Sequence, residues 1–547
     1  IYFNGNDYYK GLNKQIKRMK SIFNLSKGIL SVALISVAFA SCSEDTMDNI
    51  NKDKDHTTSV PAKFILADVI TATAFSNIGG DFNTYYSTYV EHMVGVDNQL
   101  ANAEKRNGEP SASSTFNNVW GNLYSTLKNA RIAINISSNE VTGNYTTKGI
   151  GEVLAAINAG LIADSFGDTP FSQAALPELA NGQPQFLTPE LDKQEAIYTA
   201  IMEYLDAAIT DLPKGDKSDE IGEYDFIYKG DGEAWLKLAY GLKARYTMRL
   251  LARSSSKDAD LQKILEYVDK SYTSIEEQAA FSIYSATNLN PLFDFQWSRD
   301  GLAASKSYAD KLIERNDPRL RRIFCIGQGK LTENENAVSI QVTGADDPRF
   351  LMADNGTAES VKYEYNTPIF VYSQTCPTLL MSYHELLFLK AEALARLNRK
   401  DEAANALKDA VIAAIANAET GVSAAFNAPT VKSYGGVKET TKAITATEAE
   451  EYFTNNVKPL FDANPVKEVM VQKYIAFLGA FGETTECYND VRRLKAMGEE
   501  YIKLDNPYKF PLRAPYGADD VSANPNVEAA FGNGQYVYTD PVWWAGG

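Results

Sequence analysis

The chain has 547 residues, of which 44% are hydrophobic and 22% are charged, and its formal net charge is −17. This composition is that of a globular protein long enough for one large or two ordinary domains. The excess of acidic residues excludes a nucleic-acid partner on electrostatic grounds, because the phosphates would be repelled.

The start of the chain has the features of a bacterial lipoprotein leader. Residues 1–18 precede the predicted initiator Met19, and an apolar run over residues 28–40 leads to Cys42. That run is too short to span a bilayer, and small residues follow it as at a cleavage site. The pattern predicts removal of residues 1–41 and acylation of Cys42.

The residues that follow Cys42 indicate where the lipoprotein is located and predict a flexible linker. Glu44 and Asp45 resemble the acidic signal that sends lipoproteins to the outer face of the outer membrane in some Gram-negative bacteria; an ordinary solvated linker is the alternative. The polar composition of residues 42–60 predicts a flexible tether. Residues 61–547 are predicted to form a single, mainly α-helical domain, without a second apolar run of membrane-spanning length.

Helical periodicity is the main signal in this domain. Apolar residues recur at four-residue spacing in several stretches, which predicts amphipathic helices ended by turns or proline. The simplest examples are residues 153–161, 197–212 and 235–246.

The most distinctive pair of predicted helices lies between Tyr383 and Ile415. Residues 398–401 break the periodicity, and the small side chains of Ala393 and Ala403 stand where two helices must cross closely. This pattern is typical of a tetratricopeptide hairpin. Because a solitary repeat cannot bury its own apolar face, further helices between about 190 and 420 are predicted to stack with it. A generic helical bundle is the alternative.

Three segments are predicted to be long loops: residues 282–304, 325–377 and 420–443. Loops of this length in a compact domain often carry function, so we expect a loop-rich ligand-binding face.

Aromatic clusters supply the candidate ligand-binding residues, because aromatic faces stack on sugars or peptide groups. Core or helix packing is the alternative for each of them. The candidates are Trp297, Phe293, Phe295 and Arg299 in the first loop, with Trp297 foremost, and Tyr85, Tyr86 and Tyr89 in a second cluster.

No motif of a known enzyme class stands out. The three histidines, His56, His92 and His384, are not in an HExxH pattern, and neither a GxSxG elbow nor a Walker loop occurs. We therefore predict no catalytic residue, metal or cofactor. Carboxylate pairs suited to glycoside hydrolysis stay open among the 70 acidic residues.

The remaining cysteines leave two alternatives open. Cys325, Cys376 and Cys487 form no CxxC pair, which argues against a zinc ribbon or a thioredoxin-type site. Either one disulfide and a buried thiol or three buried thiols fits their number.

Several strings, taken in order, resemble the SusD/RagB family of outer-membrane nutrient-binding lipoproteins. Each motif is weak, but their order extends over nearly the whole mature chain. Besides the leader, they are residues 163–171 (ADSFGDTPF), 235–253, 316–319 (NDPR), 383–396, 472–474 (QKY) and 487–493 (CYNDVRR).

The resemblance implies a helical body with tetratricopeptide-like repeats and a binding role without chemistry. Such proteins form the lid of a SusC-type TonB-dependent β-barrel and bind an oligosaccharide or an oligopeptide for import. It also implies lipid anchoring on the extracellular face of the outer membrane. A secreted helical hydrolase of surface polymers and a surface scaffold are the alternative functions.

The leader yields a first testable prediction. Cys42→Ala should leave the protein soluble or mislocalised, because the acyl chains would have no attachment site. Membrane fractionation and fatty-acid labelling of both proteins measure this. A variant that stays firmly membrane-bound, together with an unlabelled wild-type protein, would contradict the anchor.

Overall fold

A computed structural model describes residues 60–106, 116–138, 143–179, 181–326, 340–361, 364–531 and 536–547. Residues 61–547 form one compact unit. The predicted leader, Cys42 and nearly all of the predicted tether lie outside the described residues.

The body is mainly α-helical, as predicted. Its helices are α1 (Ala62–Thr71), α2 (Asp81–Tyr89), α3 (Asn98–Lys105), α4 (Phe116–Ser137), α5 (Tyr145–Phe166), α6 (Gln194–Asp211), α7 (Gly232–Arg249), α8 (Lys257–Val268), α9 (Pro291–Arg299), α10 (Lys306–Glu314), α11 (Tyr383–Arg396), α12 (Lys400–Phe426), α13 (Pro429–Ser433), α14 (Ala446–Tyr452), α15 (Lys458–Ala463), α16 (Pro465–Ala476), α17 (Thr484–Ala496), α18 (Ala518–Ala523) and α19 (Pro525–Phe531).

Short antiparallel strand pairs fasten the connecting segments to this helical body. Each pair is a separate two-stranded sheet. The pairs are β1 (Met93–Gly95) with β5 (Leu302–Ala304), β2 (Thr169–Pro170) with β3 (Leu191–Asp192), β4 (Ala279–Phe281) with β8 (Thr378–Met381), and β6 (Phe324–Cys325) with β7 (Thr367–Pro368).

Successive helices pack side by side and form a continuous layer. Helices α4 to α8 pack each on the next, α8 then packs on α11, and α11 packs on both α12 and α16. Stacked helix pairs of this kind bury one shared core, which confirms the tetratricopeptide-like fold. The layer begins before residue 190, because α4 and α5 already belong to it.

The hairpin formed by α11 and α12 agrees with the pattern that predicted it. The side chains of Ala393 and Ala403 are both fully buried, and the chain turns between the helices through Asn398, whose φ is 59°. Small side chains let the two helix backbones approach closely at this crossing. The hairpin is therefore a packed structural unit of the stack.

Helix α5 corrects the expectation that no second apolar run reaches membrane-spanning length. Its 22 residues are long and apolar enough to cross a bilayer by length and composition, but the apolar window is entirely buried inside the protein. Helices α4 and α6 pack against it on two sides. An apolar surface all round is what a helix at the centre of a large core requires.

Two of the predicted loops contain helices. The segment 282–304 holds α9, which begins where the Asn290 side chain accepts hydrogen bonds from the backbone N–H groups of Leu292 and Phe293. Pro291 occupies the first helical position, where its missing N–H costs nothing. The segment 420–443 likewise begins as the last turns of α12 and then contains α13.

The three cysteines of the body are buried free thiols, which settles the alternative left open by their number. Burial raises the pKa of the Cys325, Cys376 and Cys487 thiols well above the usual range. Neutral thiols of this kind behave as small apolar side chains and are unreactive.

Buried ion pairs tie α17 to three of its neighbours. Arg493 donates two hydrogen bonds to Glu392 of α11, at 2.7 and 2.8 Å, and one to Asp490, at 2.9 Å. Lys473 of α16 lies 2.7 Å from the same Asp490. Arg249 of α7 pairs with Glu486 at the other end of α17.

The close crossing of α11 and α12 can be tested by overpacking it. Ala393→Trp should lower the free energy of unfolding by at least about 1 to 3 kcal/mol, because no space exists for the indole. Ala416→Trp is the matched control, since Ala416 is an exposed residue of α12. Thermal unfolding of both variants measures the difference. Equal melting temperatures would contradict the crossing.

Candidate functional site

The principal cavity among the described residues is an open cleft of about 1320 Å³. Five helices, α2, α3, α4, α9 and α18, contribute residues to its lining, together with the turn that follows α1. These elements are far apart in the sequence. The pairing of β1 with β5 brings the segment after α2 beside the segment after α9 and so closes one side of the cleft.

Amides and hydroxyls form much of the lining. The Tyr85 hydroxyl donates a 2.9 Å hydrogen bond to Gln99 Oε1, which links α2 to α3 at the cleft wall. An amide side chain offers both donors and acceptors, so it can pair with either role of a ligand hydroxyl. The polar lining residues besides Tyr85 are Ser76, Thr84, Asn98, Gln99, Asn117, Asn118, Asn122 and Ser298.

Two further aromatic side chains line the cleft. Phe75 lies in a π-helical turn, Ala72–Ile78, that continues α1, and Phe295 projects from α9. Both side chains are half-buried. Single π-helical turns are frequent at functional sites, because they redirect a side chain out of the regular helix.

The charged residues of the lining make the cleft acidic. Asp81, Asp97, Asp294 and Asp519 contribute four carboxylates, and Arg299 is the single basic residue among the lining side chains of the described chain. A surface with this balance repels anionic ligands and accepts neutral ones.

The predicted tyrosine cluster divides between the cleft and the core. Tyr85 lines the cleft, whereas Tyr86 and Tyr89 are 0% and 2% exposed. Tyr86 stacks on Phe82 and on Tyr488, at centroid distances of 5.0 and 4.3 Å. The assignment of Tyr86 and Tyr89 to ligand contact is thus corrected, because both rings are buried in the core against Tyr488 of α17 and support α2 from there.

The predicted aromatic cluster of residues 293–299 divides in the same way. Phe295 and Arg299 line the cleft, whereas Phe293 is fully buried and is corrected to a core residue. Trp297 is half-buried outside the cleft lining and stacks on Phe293, with centroids 5.5 Å apart and an interplanar angle of 15°. Helical geometry explains the division, because residues 293 and 297 share one face of α9 and residue 295 lies on another.

Most of the cleft lining was not predicted from the sequence. Phe75, Asp81 and Asp519 belong to three separate helical regions and carry no motif in common. Asp294, in contrast, stands within the FDFQWSR string that was singled out for its aromatic residues. A search for polar side chains in that string would have found it.

A buried carboxylate, that of Glu104, holds α3 in place as one of the helices that form the cleft. Glu104 of α3 accepts hydrogen bonds from the backbone N–H groups of Gly356, at 2.6 Å, and Gly95, at 3.4 Å. Burial raises the pKa of the Glu104 carboxyl to about 7, although the nearby Arg106 opposes this shift and Glu91 adds to it.

Within the residues that the structure describes, no group of three or more His, Cys, Asp or Glu side chains is placed to hold a metal ion.

The helical stack and the large polar cleft define a class, that of helical-repeat proteins that carry a candidate binding cleft. Comparison with known proteins identifies the family. A SusD-like family model, described as "Starch-binding associating with outer membrane", matches residues 54–507. The chain therefore belongs to the SusD/RagB family of outer-membrane nutrient-binding proteins, as the order of its motifs predicted.

Solved structures agree with this assignment. A SusD/RagB family protein from Bacteroides thetaiotaomicron VPI-5482 is 52% identical, with a TM-score of 0.83, and the match covers 89% of this chain and 100% of that one. A SusD homologue from Bacteroides fragilis NCTC 9343 is 19% identical, with a TM-score of 0.66 over 89% and 99% of the two chains.

A chitin-binding SusD homologue from Flavobacterium johnsoniae is 16% identical, with a TM-score of 0.61 over 88% of this chain and 98% of that one. At such low identity this likeness, like that to the Bacteroides fragilis protein, shows the fold alone. No curated protein matches the chain.

The raised pKa of Glu104 predicts a pH dependence of stability. In the unfolded chain the carboxyl ionises near pH 4.5, and in the folded protein near pH 7. The folded state therefore holds the extra proton between these values, and stability is lost as the pH rises through them, by up to about 3 kcal/mol.

Glu104→Gln should remove this loss of stability at rising pH, because the amide stays neutral. Urea unfolding at a series of pH values measures the difference from the wild type, with Glu223→Gln on an exposed carboxylate as the control. A constant difference between wild type and Glu104→Gln from pH 4 to pH 8 would contradict the assignment.

Proposed function

We propose that this protein captures an uncharged oligosaccharide in the cleft and passes it to a SusC-type TonB-dependent β-barrel, for which it acts as the lid. In this proposal the acyl chains on Cys42 hold it at the extracellular face of the outer membrane. The single observation that carries the proposal is the cleft itself, which is large, open, rich in amides and flanked by aromatic rings.

The size of the cleft favours an oligomeric ligand. Sites for single small molecules have volumes of roughly 300 to 1,000 Å³, and this cleft is larger. Because the cleft is open at the surface, an oligomeric ligand could also extend beyond it.

The chemistry of the lining favours a sugar chain. Every unit of an oligosaccharide carries hydroxyls that both donate and accept, and the amides of Asn98, Gln99 and Asn117 match this dual character. The rings of Phe75 and Phe295 supply faces for stacking on the C–H side of a sugar. The starch-binding description of the family points in the same direction.

The negative charge of the cleft favours neutral oligosaccharides over acidic ones. Four carboxylates and one guanidinium would repel uronic-acid or sulfated oligosaccharides. Neutral oligosaccharides would not be repelled. An oligopeptide remains the alternative ligand, and it is included as a probe in the binding test.

The partnership with a transporter rests on family membership and on the leader. A lid should co-purify from outer membranes with a β-barrel of roughly twice its mass, whereas a free surface scaffold should not.

Hydrolysis is the alternative function that the cleft itself raises. Glycoside hydrolases use two carboxyl groups that flank the scissile bond, and the cleft contains Asp81, Asp97, Asp294 and Asp519. A steady release of shorter fragments from a bound oligosaccharide would identify an enzyme. A binding protein returns the ligand unchanged.

The cleft can be tested with Phe295→Ala. The probes are neutral gluco-, manno- and chito-oligosaccharides from disaccharide to octasaccharide, an oligogalacturonate series and an oligopeptide mixture, measured by calorimetry. We expect the affinity for the neutral series that the wild type binds to fall about five- to thirtyfold, because one stacking face is lost.

Phe186→Ala is the matched control, since Phe186 is an exposed phenylalanine outside the cleft lining. Melting curves of both variants separate a binding effect from unfolding. Normal binding by Phe295→Ala, or preferential binding of oligogalacturonate or peptide by the wild type, would overturn the proposed ligand.

A further inference from the structure

Helix α9 presents two different flanks to the solvent. Its nine residues make two and a half turns, and at 3.6 residues per turn Asp294 and Ser298 lie one above the other. Both are exposed and form the outer ridge of the helix. Phe295 lies on the flank that faces the cleft, and Trp297 lies on the other flank.

Two aromatic rings, those of Trp297 and Tyr434, contact each other on the far side of this ridge. Trp297 stacks on the buried Phe293, so one of its faces is held in place by the core. Tyr434 meets Trp297 at a centroid distance of 5.6 Å and an interplanar angle of 59°. The Tyr434 residue is 60% exposed, which is unusual for an aromatic side chain that is packed against another.

Backbone hydrogen bonds hold Tyr434 in this exposed position. Its N–H donates to the carbonyl oxygen of Val431 at 3.0 Å, and the N–H of Gly436 donates to the same oxygen at 2.9 Å. The following residues, Gly435 and Gly436, have φ values of 105° and 79°, which only glycine adopts readily. Because its backbone is held in place, Tyr434 has less conformational entropy to lose when a ligand covers it.

A buried side chain fixes the short helix α13, which precedes Tyr434. The Gln374 side chain accepts a hydrogen bond from the N–H of Thr430 at 2.9 Å, and its amide donates to the carbonyl oxygens of Ser285 and Ala286 at 3.5 and 3.4 Å. This bridge holds the segment around Ser285, with its exposed hydroxyls, next to α13. The bridge therefore positions α13, which ends at the residue before Tyr434.

We propose that Trp297 and Tyr434 form a second sugar-binding subsite, separated from the cleft by the ridge of Asp294 and Ser298. It would take a distal unit or a branch of the same oligosaccharide that occupies the cleft. The inference rests on the proposed function, and its basis is continuity, because both flanks belong to one helix with an overall diameter of about 10 to 12 Å. A short oligosaccharide would fill the cleft alone, whereas a longer one would cross the ridge.

The experiment compares ligand lengths in Tyr434→Ala. The probes are the disaccharide, tetrasaccharide and octasaccharide of whichever neutral series the wild type binds, measured by calorimetry. We expect the affinity for the octasaccharide to fall about three- to tenfold, with the disaccharide unaffected, because only the longer chain reaches the second pair of rings.

Tyr508→Ala is the matched control, since Tyr508 is a comparably exposed tyrosine, at 48%, away from both flanks of α9. Trp297→Phe is a second test variant that keeps a ring stacked on Phe293, and it should show the same dependence on length in weaker form. Melting curves should match the wild type for all three variants.

The outcomes distinguish the subsite from the proposed function. A selective loss for long ligands supports the subsite. Equal losses at every length, or no loss, would overturn the subsite while leaving the cleft intact. If the wild type binds none of the neutral series, the proposed ligand and the subsite are both wrong.

Discussion

The buried ion pairs of α17 are the interaction on which the rest of the structure depends. Arg493 and Asp490 join this helix to α11 and α16, and Glu486 joins it to Arg249 of α7. Breaking such a pair leaves a buried charge uncompensated, which costs about 3 to 5 kcal/mol. Helices that are distant in the sequence are thus held in one arrangement, because other arrangements would separate the charges in an apolar medium.

The same helix transmits this order to the cleft. Tyr488 of α17 stacks on Tyr86 of α2, and Asp81 and Tyr85 of the same helix line the cleft. Glu104 fixes α3 in turn through backbone hydrogen bonds. The polar lining is therefore supported by a rigid base. Because the protein is already ordered there, binding of a ligand would cost little conformational entropy. The stacked helices thus support the cleft, and α4 of the stack also contributes to its lining.

Helix α9 shows how much depends on the direction of a side chain. Phe293, Phe295 and Trp297 are alternate residues in one string, yet they lie in the core, in the cleft and on the far flank. In an extended loop, alternate residues would share a face. The helix rotates each by about 200° from the one before, which separates their roles. Its start was marked in the sequence by Asn290 and Pro291, a capping signal that the aromatic pattern obscured.

The sequence by itself determined the helical class, the hairpin with Ala393 and Ala403 at its crossing, and the order of motifs that identifies the family. These are local properties, because periodicity, small residues and breaks act over a few turns of one helix. Only the tertiary structure decided the cleft, since Phe75, Asp97, Asn117, Phe295 and Asp519 come together from five parts of the chain. Which tyrosine of the second cluster lines the cleft was likewise decided by packing on Tyr488, since spacing along α2 does not show which side the core will cover.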